Sequence, residues 1–469
     1  MHTPIVDFVK NYTENTKTLR LHMPGHKGIG AMESYDITEI PGADSLYEAN
    51  GIISQSEHNA STLFGGRTFY STEGSSLCIR AMLYLALVNQ GRDRKTKVDV
   101  SMVKSSCKYL HPWVLAGRNA HKTFLSTVAL LNLAVEWLSP KAEESYLSCQ
   151  VTAEEVEAIL SKKRNQGEDL PLAVYLTSPD YLGNQVDIEA ISKVCHKYGI
   201  LLLVDNAHGA YLRFLPESKH PMDLGADMCC DSAHKTLPAL TGAAYLHIGK
   251  HMSEIYAEQA KNAMALFGST SPSYLILQSL DKVNAYLAEG YQEKLEDFIG
   301  QVDEVKSHLK QAGFQLVGKE PLKITIDAKK YGYSGYELAE LLSQQNIVCE
   351  FADPDYMVLM VTPEVGSEGL LRLEQVLLDV PKRTTDGCGK SAPMFRSQEK
   401  VMSVREAMLS RCELLPVEEC EGRILSAATV GCPPAVPIVI CGERIDAHAI
   451  ECFQYYGIEK CYVVRGQEL

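Results

Sequence analysis

The sequence predicts an α/β protein on a mainly parallel sheet, followed by a smaller α/β domain and a C-terminal α+β extension. Three observations predict it. Between residues 170 and 205 an apolar run (LPLAVYLTSP), a helix pattern closed by glycine (IEAISKVCHKYG) and a second apolar run (ILLLVD) alternate. Continuous apolar strands between helices belong to parallel sheets covered on both faces. Two such runs end near charged groups, Asp205 after ILLLV and Lys235 just beyond GADMCCDS. Those are C-terminal strand ends, where open α/β sheets bind ligands. Finally, a fresh strand–helix–strand–helix pattern starts after long helices, near residue 313.

The 469 residues allow about three domain-sized units. With 45% hydrophobic and 22% charged residues, the chain is able to build a large core. The net charge of −14 argues against a nucleic-acid partner, which calls for a basic surface, and is compatible with a cationic substrate. No apolar run reaches the roughly 18 residues of a membrane span. The opening MHTPIVDFVKNYTENTK lacks the basic and apolar regions of a signal peptide. A cytoplasmic protein without membrane partners is therefore expected. The 14 cysteines, among them Cys195, Cys229, Cys230 and Cys349, are scattered through presumed core segments. They show no CxxC pair and no zinc-like Cys/His spacing, so reduced buried thiols and no metal are expected.

Residues 1–60 read as an irregular arm, with the Gly/Pro/His-rich LHMPGHKGIG too broken for a helix, until a helix pattern begins near Ile52. Residues 61–312 form the large domain with its connecting helices. It opens with TFYSTEGSSLCIRAMLYLALV, a short strand, a turn and an apolar helix. Gly74 permits close backbone approach, and Ser75 and Ser76 bring hydroxyls to a helix N-terminus, where free amides favour phosphate. VDVSMV (98–103) reads as a strand, and RNAHKTFLSTVALLNLAVEWLSP as a long helix-like run with His121 at its start. GADMCCDS and AAYLHI are further strands, and residues 250–311 form long helices. The small domain, 313–382, contains PLKITID and DYMVLMVTP as strands with YELAELLSQQNI and EGLLRLEQVLLDV as helices. A linker, 383–400, leads to the unit 401–469, with helices at Ser403–Leu409 and near Ala447–Tyr455 and a strand at KCYVV.

An aspartate and a lysine on two strand ends are what a pyridoxal phosphate (PLP) site requires: a carboxylate for the pyridinium nitrogen and an amine for a Schiff base. Burial and nearby cations help that amine lose its proton. Ser232 is placed to donate to phosphate, His234 to bear on phosphate or a substrate carboxylate, and the small Ala207 to let the ring pack closely, with His208 beside it. Singly, each is commonly a turn or surface residue. The order Gly74-Ser75-Ser76, His121, Asp205, Ser232-x-His234-Lys235 is what makes them a site.

The segments HMPGHKG (22–28), TEIPGADSL (38–46), RNAHKTF (118–124), TSPDYLG (177–183), LLLVDNAHGAYLRF (201–214), DSAHKTLPALTG (231–242) and STSPSYLILQSLD (269–281) resemble one family. It is that of the fold-type-I ornithine/lysine/arginine decarboxylases, in a short form without an N-terminal receiver-like wing domain. LLPVEECEGRI (414–424) and CPPAVPIVICGE (432–443) resemble that family's C-terminal domain. The resemblance implies an aminotransferase-like large domain that binds PLP, with Lys235 as the Schiff-base lysine and Asp205 as the pyridinium partner. It makes His121 the imidazole stacked on the ring, gives Gly74, Ser75, Ser76 and Ser232 the phosphate, and gives His234 phosphate or substrate. It further implies an obligate homodimer in which Ser269 and Thr270 complete the neighbour's phosphate cup. The chain departs from the family at Asn206 (usually Glu), at Gly242-Ala243, and at Ser45 and Tyr47 in a stretch expected to face substrate. The expected reaction is decarboxylation of a basic amino acid: arginine to agmatine first, as in polyamine synthesis, then lysine to cadaverine and ornithine to putrescine. An aminotransferase or a silent regulatory homologue are the alternatives. Asp44, Glu48, Glu350 and Asp353 are candidates to read the substrate's distal cation.

Overall fold

The computed structural model describes residues 1–15, 18–93, 112–140, 146–384, 392–427, 431–432 and 436–466. The strand expected at 98–103, residues 385–391 of the linker and residues 433–435 of CPPAVPIVI lie outside them. In chain order the elements are α1 (Pro4–Glu14), α2 (Ile52–Phe64), β1 (Arg67–Ser71), α3 (Gly74–Asp93), β2 (Trp113–Gly117), α4 (Lys122–Leu131), β3 (Ala134–Leu138), α5 (Ala153–Asn165), β4 (Ala173–Thr177), α6 (Ile188–Tyr198) and β5 (Leu201–Asp205). There follow β6 (Met228–Asp231), α7 (Ala233–Thr236), β7 (Ala244–Ile248), α8 (Glu254–Ala265), α9 (Tyr274–Ala288), α10 (Tyr291–Gln311), β8 (Gln315–Val317), β9 (Lys323–Asp327), α11 (Gly335–Gln344), β10 (Phe351–Ala352), β11 (Tyr356–Met360) and α12 (Gly366–Leu378). The chain ends with α13 (Val404–Leu409), β12 (Cys412–Pro416), β13 (Gly431–Cys432), β14 (Val436–Pro437), α14 (Ala447–Tyr455) and β15 (Lys460–Val464).

These elements gather into two compact units, Met1–Ser106 with Ile188–Leu295, and Cys107–Asp187 with Glu296–Leu469. In the first, four strands run in the order β1-β7-β6-β5. β5 and β6 are parallel with Asp205 opposite Cys230, while β7 is antiparallel to both β6 and β1. In the second, β4-β2-β3 are parallel. Of these seven strands five pair in parallel, so the architecture is α/β with a mainly parallel sheet. The second unit also holds the antiparallel sheet β10-β11-β9-β8 and the pair β12-β15.

Local signals explain the framework. Every residue of β5 is buried, as its unbroken apolar run requires. α6 buries Ile188, Ile191, Val194 and Cys195 along one stripe, and Gly199 ends it at φ +68°. Capping boxes at Thr152/Glu155, Ser334/Glu337 and Ser403/Glu406 start α5, α11 and α13.

Two expectations are corrected. The arm begins with a helix, α1, whose first turn is capped from α9: the Asp281 carboxylate accepts from Ile5 N at 2.9 Å and Val6 N at 3.0 Å. A cap supplied by a remote residue leaves no local trace. The long helix expected after His121 stops at Leu131, because Asn132 turns left-handed at φ +54°, and AVEWL becomes β3. Among the described residues, no helix is long and apolar enough to cross a membrane.

Candidate active site

The first unit brings most of the expected site residues together. Asp205 closes β5 and is buried; its Oδ1 accepts from Ala207 N at 3.2 Å and lies 3.6 Å from Cys230 Sγ. The backbone then turns through Asn206 and Ala207 to His208, whose Nε2 stands 2.9 Å from Lys235 Nζ. That pair shares one proton: an ammonium donates to a bare imidazole nitrogen, or an imidazole N–H donates to a free amine. Lys235 rides on α7, the single turn that follows β6, and is half-buried.

The phosphate candidates meet at the start of α3. Ser232 Oγ lies 3.0 Å from Ser75 Oγ, tying the end of β6 to that helix N-terminus. Gly74 adopts φ +70°, and a Cβ built there would meet nothing within 4 Å. A twenty-residue helix thus starts beside two serine hydroxyls with room at Gly74, which fits a phosphate. With a buried carboxylate and a lysine at the adjoining strand ends, the residues present fit PLP.

His234 turns the other way. Its Nδ1 donates to Ala243 O at 2.9 Å, and Gly242 O accepts from Gly74 N at 2.8 Å. Gly242 sits at φ +98°, and an added Cβ would stand 2.8 Å from Thr72 O. The dipeptide that departs from the family is therefore the brace of both the Gly74 turn and His234. Ser269 and Thr270 are exposed, and Ser269 N donates to Glu73 Oε1 at 2.6 Å. Tyr47 Oη is buried without a partner among the described residues, against Gly268, and burial with Glu73 nearby pushes its phenol up to about 12. His121 belongs to the second unit, where it caps α4: its Nδ1 accepts from Thr123 N at 3.2 Å.

Of the candidates for the distal cation, Asp44 is committed elsewhere. It is buried and accepts from five backbone amides, of Ser45, Asn50, Gly51, Ile53 and Ser54, which makes it the cap of α2. Asp353 is fully buried, accepts from the amides of Asp355 and Tyr356, and burial raises its carboxyl to about 6. Glu48 and Glu350 are exposed, and Glu350 accepts from Tyr181 Oη at 3.0 Å.

Sequence reasoning missed the network behind the site. Asp231, the last residue of β6, accepts from Asn206 Nδ2 at 2.7 Å and takes His220 Nε2 at 2.9 Å and His247 Nε2 at 3.0 Å on its other oxygen. All four side chains are buried. Cys229 also lies nearby, a grouping that resembles a metal set. The tautomer argues otherwise: His220 Nδ1 accepts from Met222 N, so Nε2 carries the hydrogen and gives it to Asp231. Burial opposes the charge on Asp231, but the two imidazoles outweigh it and hold the carboxyl well below its usual range. Asn206, one residue after Asp205, is thereby pinned to the strand end that leads to Ser232 and Lys235. The only sequence signal was an Asn in an unusual place.

Burial holds the His247 imidazole below its ordinary range. Its folded form binds a proton less readily than its unfolded form, so it contributes stability at neutral pH that is lost as pH falls below about 6.5. The urea midpoint is expected to fall between about pH 7.5 and 5.5 more steeply in the wild type than in His247→Gln, whose amide still donates to Asp231. Equal slopes would count against a neutral buried His247.

Comparison with known proteins bears on this geometry. The family model "Orn/Lys/Arg decarboxylase, major domain" matches residues 3–323, and the model of that family's C-terminal domain matches 391–460. An uncharacterized Bacillus subtilis protein, YaaO, is 27% identical, over 96% of this chain and 93% of its own length. A Bacillus subtilis arginine decarboxylase is 25% identical, over 99% of this chain and 96% of its own. Among solved structures, the Francisella novicida lysine decarboxylase LdcF superposes with a TM-score of 0.77 at 16% identity, over 99% of this chain and 81% of that one. The strand-end aspartate and lysine, the phosphate-ready helix and both family models agree: this chain belongs to the Orn/Lys/Arg decarboxylase family and is a PLP-dependent decarboxylase of fold type I.

Proposed function

We propose that the chain decarboxylates arginine to agmatine, acting as a cytoplasmic homodimer. The observation that carries the site is the arrangement of Asp205, His208 and Lys235 at two parallel strand ends, bonded through Ser232 to the N-terminus of α3. Arginine is favoured by relatives named arginine decarboxylase, which are 25–26% identical over nearly the whole chain. The lysine decarboxylase structures, at 15–17% identity, speak for the fold alone.

Bound PLP supplies an electron sink for the bond between Cα and the carboxylate. The protein's residues prepare and exploit it. Asp205, buried, would keep the ring nitrogen charged. Gly74, Ser75, Ser76 and Ser232 would hold the phosphate, with Ser269 and Thr270 serving the neighbouring subunit. Ala207 would leave room for the ring, and His121 would pack on it. Lys235 would anchor the cofactor through its amine and afterwards deliver a proton to Cα, with His208 Nε2 beside Nζ to share it. His234 orients phosphate or the substrate carboxylate.

Purified holoenzyme supplied with arginine, lysine and ornithine in competition is expected to yield agmatine as the dominant amine. Cadaverine or putrescine in excess would move the assignment to lysine or ornithine. Keto acid in place of carbon dioxide would mark an aminotransferase.

A further inference from the structure

His121 enters the second unit as the N-cap of α4, and both ends of that helix are held by the C-terminal segment. Ahead of it, Arg118 leaves β2 with its side chain only 5% exposed. Its Nη1 donates to Pro437 O at 2.7 Å, and its Nη2 to Ile438 O at 3.1 Å and Glu443 Oε2 at 3.4 Å. The Trp137 and Phe395 rings lie 5.8 and 5.9 Å from its guanidinium carbon. Glu443 Oε2 is itself fixed by Ile440 N at 2.7 Å. A planar fork satisfied by two carbonyls and a carboxylate in a dry setting has one geometry available to it.

At the far end the direction is reversed. Arg405, from α13, donates through Nη1 to Ala129 O at 2.6 Å and Leu130 O at 3.3 Å, the last carbonyls of α4. A cation there adds a donor to the carbonyls of the last turn and complements the helix dipole. Between these clamps the His121 ring is oriented by Thr123, whose N and Oγ1 lie 3.2 and 3.0 Å from Nδ1. Nδ1 accepting from the amide fixes the ring's orientation at the cap.

We infer that the C-terminal segment acts on catalysis at one remove, Arg118, Glu443 and Arg405 being positioning residues that fix where His121 stands. The inference rests on the proposal that His121 packs on the cofactor. It gives the segment beyond residue 400 a task that neither its core packing nor its surface would supply.

A double-mutant cycle on the full-length holoenzyme tests it, reading the visible absorption band of the bound cofactor, kcat and KM separately, and the melting temperature. Glu443→Gln is expected to lower kcat about 10-fold with KM changed less than about 2-fold, and to shift the visible band in the direction that His121→Ala does. In the His121→Ala background the same change is expected to add less than about 2-fold. Arg405→Met, at a partly exposed helix end, tests the same coupling without touching the buried pair, and Arg118→Lys is expected to restore less than half the coupling because it lacks the fork. Effects that multiply independently of His121, or a lowered melting temperature with an unchanged band and kcat, would overturn the inference while sparing the site. A His121→Ala enzyme with unaltered band and kcat would instead remove His121 from the cofactor, and both readings would fall.

Discussion

Lys235→Ala is expected to lower carbon dioxide release by at least about 10,000-fold and to remove the visible absorption band of the bound cofactor. Both losses follow from one amine doing two tasks. On the proposed reading Lys235 Nζ, 2.9 Å from His208 Nε2, both anchors the cofactor and donates the proton to Cα. The proton-sharing pair keeps a proton next to the amine without forcing the amine to hold it. Alanine would remove anchor and proton together and leave the proposed phosphate site at Ser75 and Ser232 intact, so weakly held cofactor is expected to remain dialysable. A silent homologue predicts the opposite, no cofactor band in the wild type and no change on substitution; that outcome would sink the enzymatic reading of the site.

Asp205→Asn is the second large effect. The side chain sits buried at the strand end, and asparagine keeps its size and its acceptor toward Ala207 N. What disappears is the negative charge proposed to sustain a protonated ring nitrogen. Removing one preorganised electrostatic partner from a water-poor site costs about 100- to 1,000-fold in kcat. KM is expected to change far less, because the proposed role of this carboxylate is toward the ring and not the substrate. Turnover within about 3-fold of wild type would show that the ring nitrogen finds its charge elsewhere.

The strand ends were legible because their chemistry is local: an apolar run that stops at Asp205, and a lysine three residues beyond Ser232. So was the helix that starts at Gly74, where sterics and hydroxyls speak through adjacent residues. What the sequence hid depends on contacts between distant segments. Asp44 reads as a loop carboxylate until five amides are found on it. Gly242 reads as a lost polar side chain until its carbonyl is seen on Gly74 N. The partners of Asp231 come from an irregular loop, from β7 and from the turn after β5, and no periodicity announces three donors converging on one carboxylate. α1 was read as irregular for the same reason, since its cap belongs to α9.

That last contact bears on how the N-terminus behaves in solution. A leading helix normally frays, and its first amides exchange with water long before the body opens. Here Ile5 N and Val6 N are bonded to Asp281, whose other oxygen takes Ser56 Oγ at 2.5 Å. α1 is thus joined to α2 and α9 by a single carboxylate, and its amide protection should track that of those helices. Removing residues 1–6 would leave Asp281 short of two donors in the interior, so this segment is a component of the folded core.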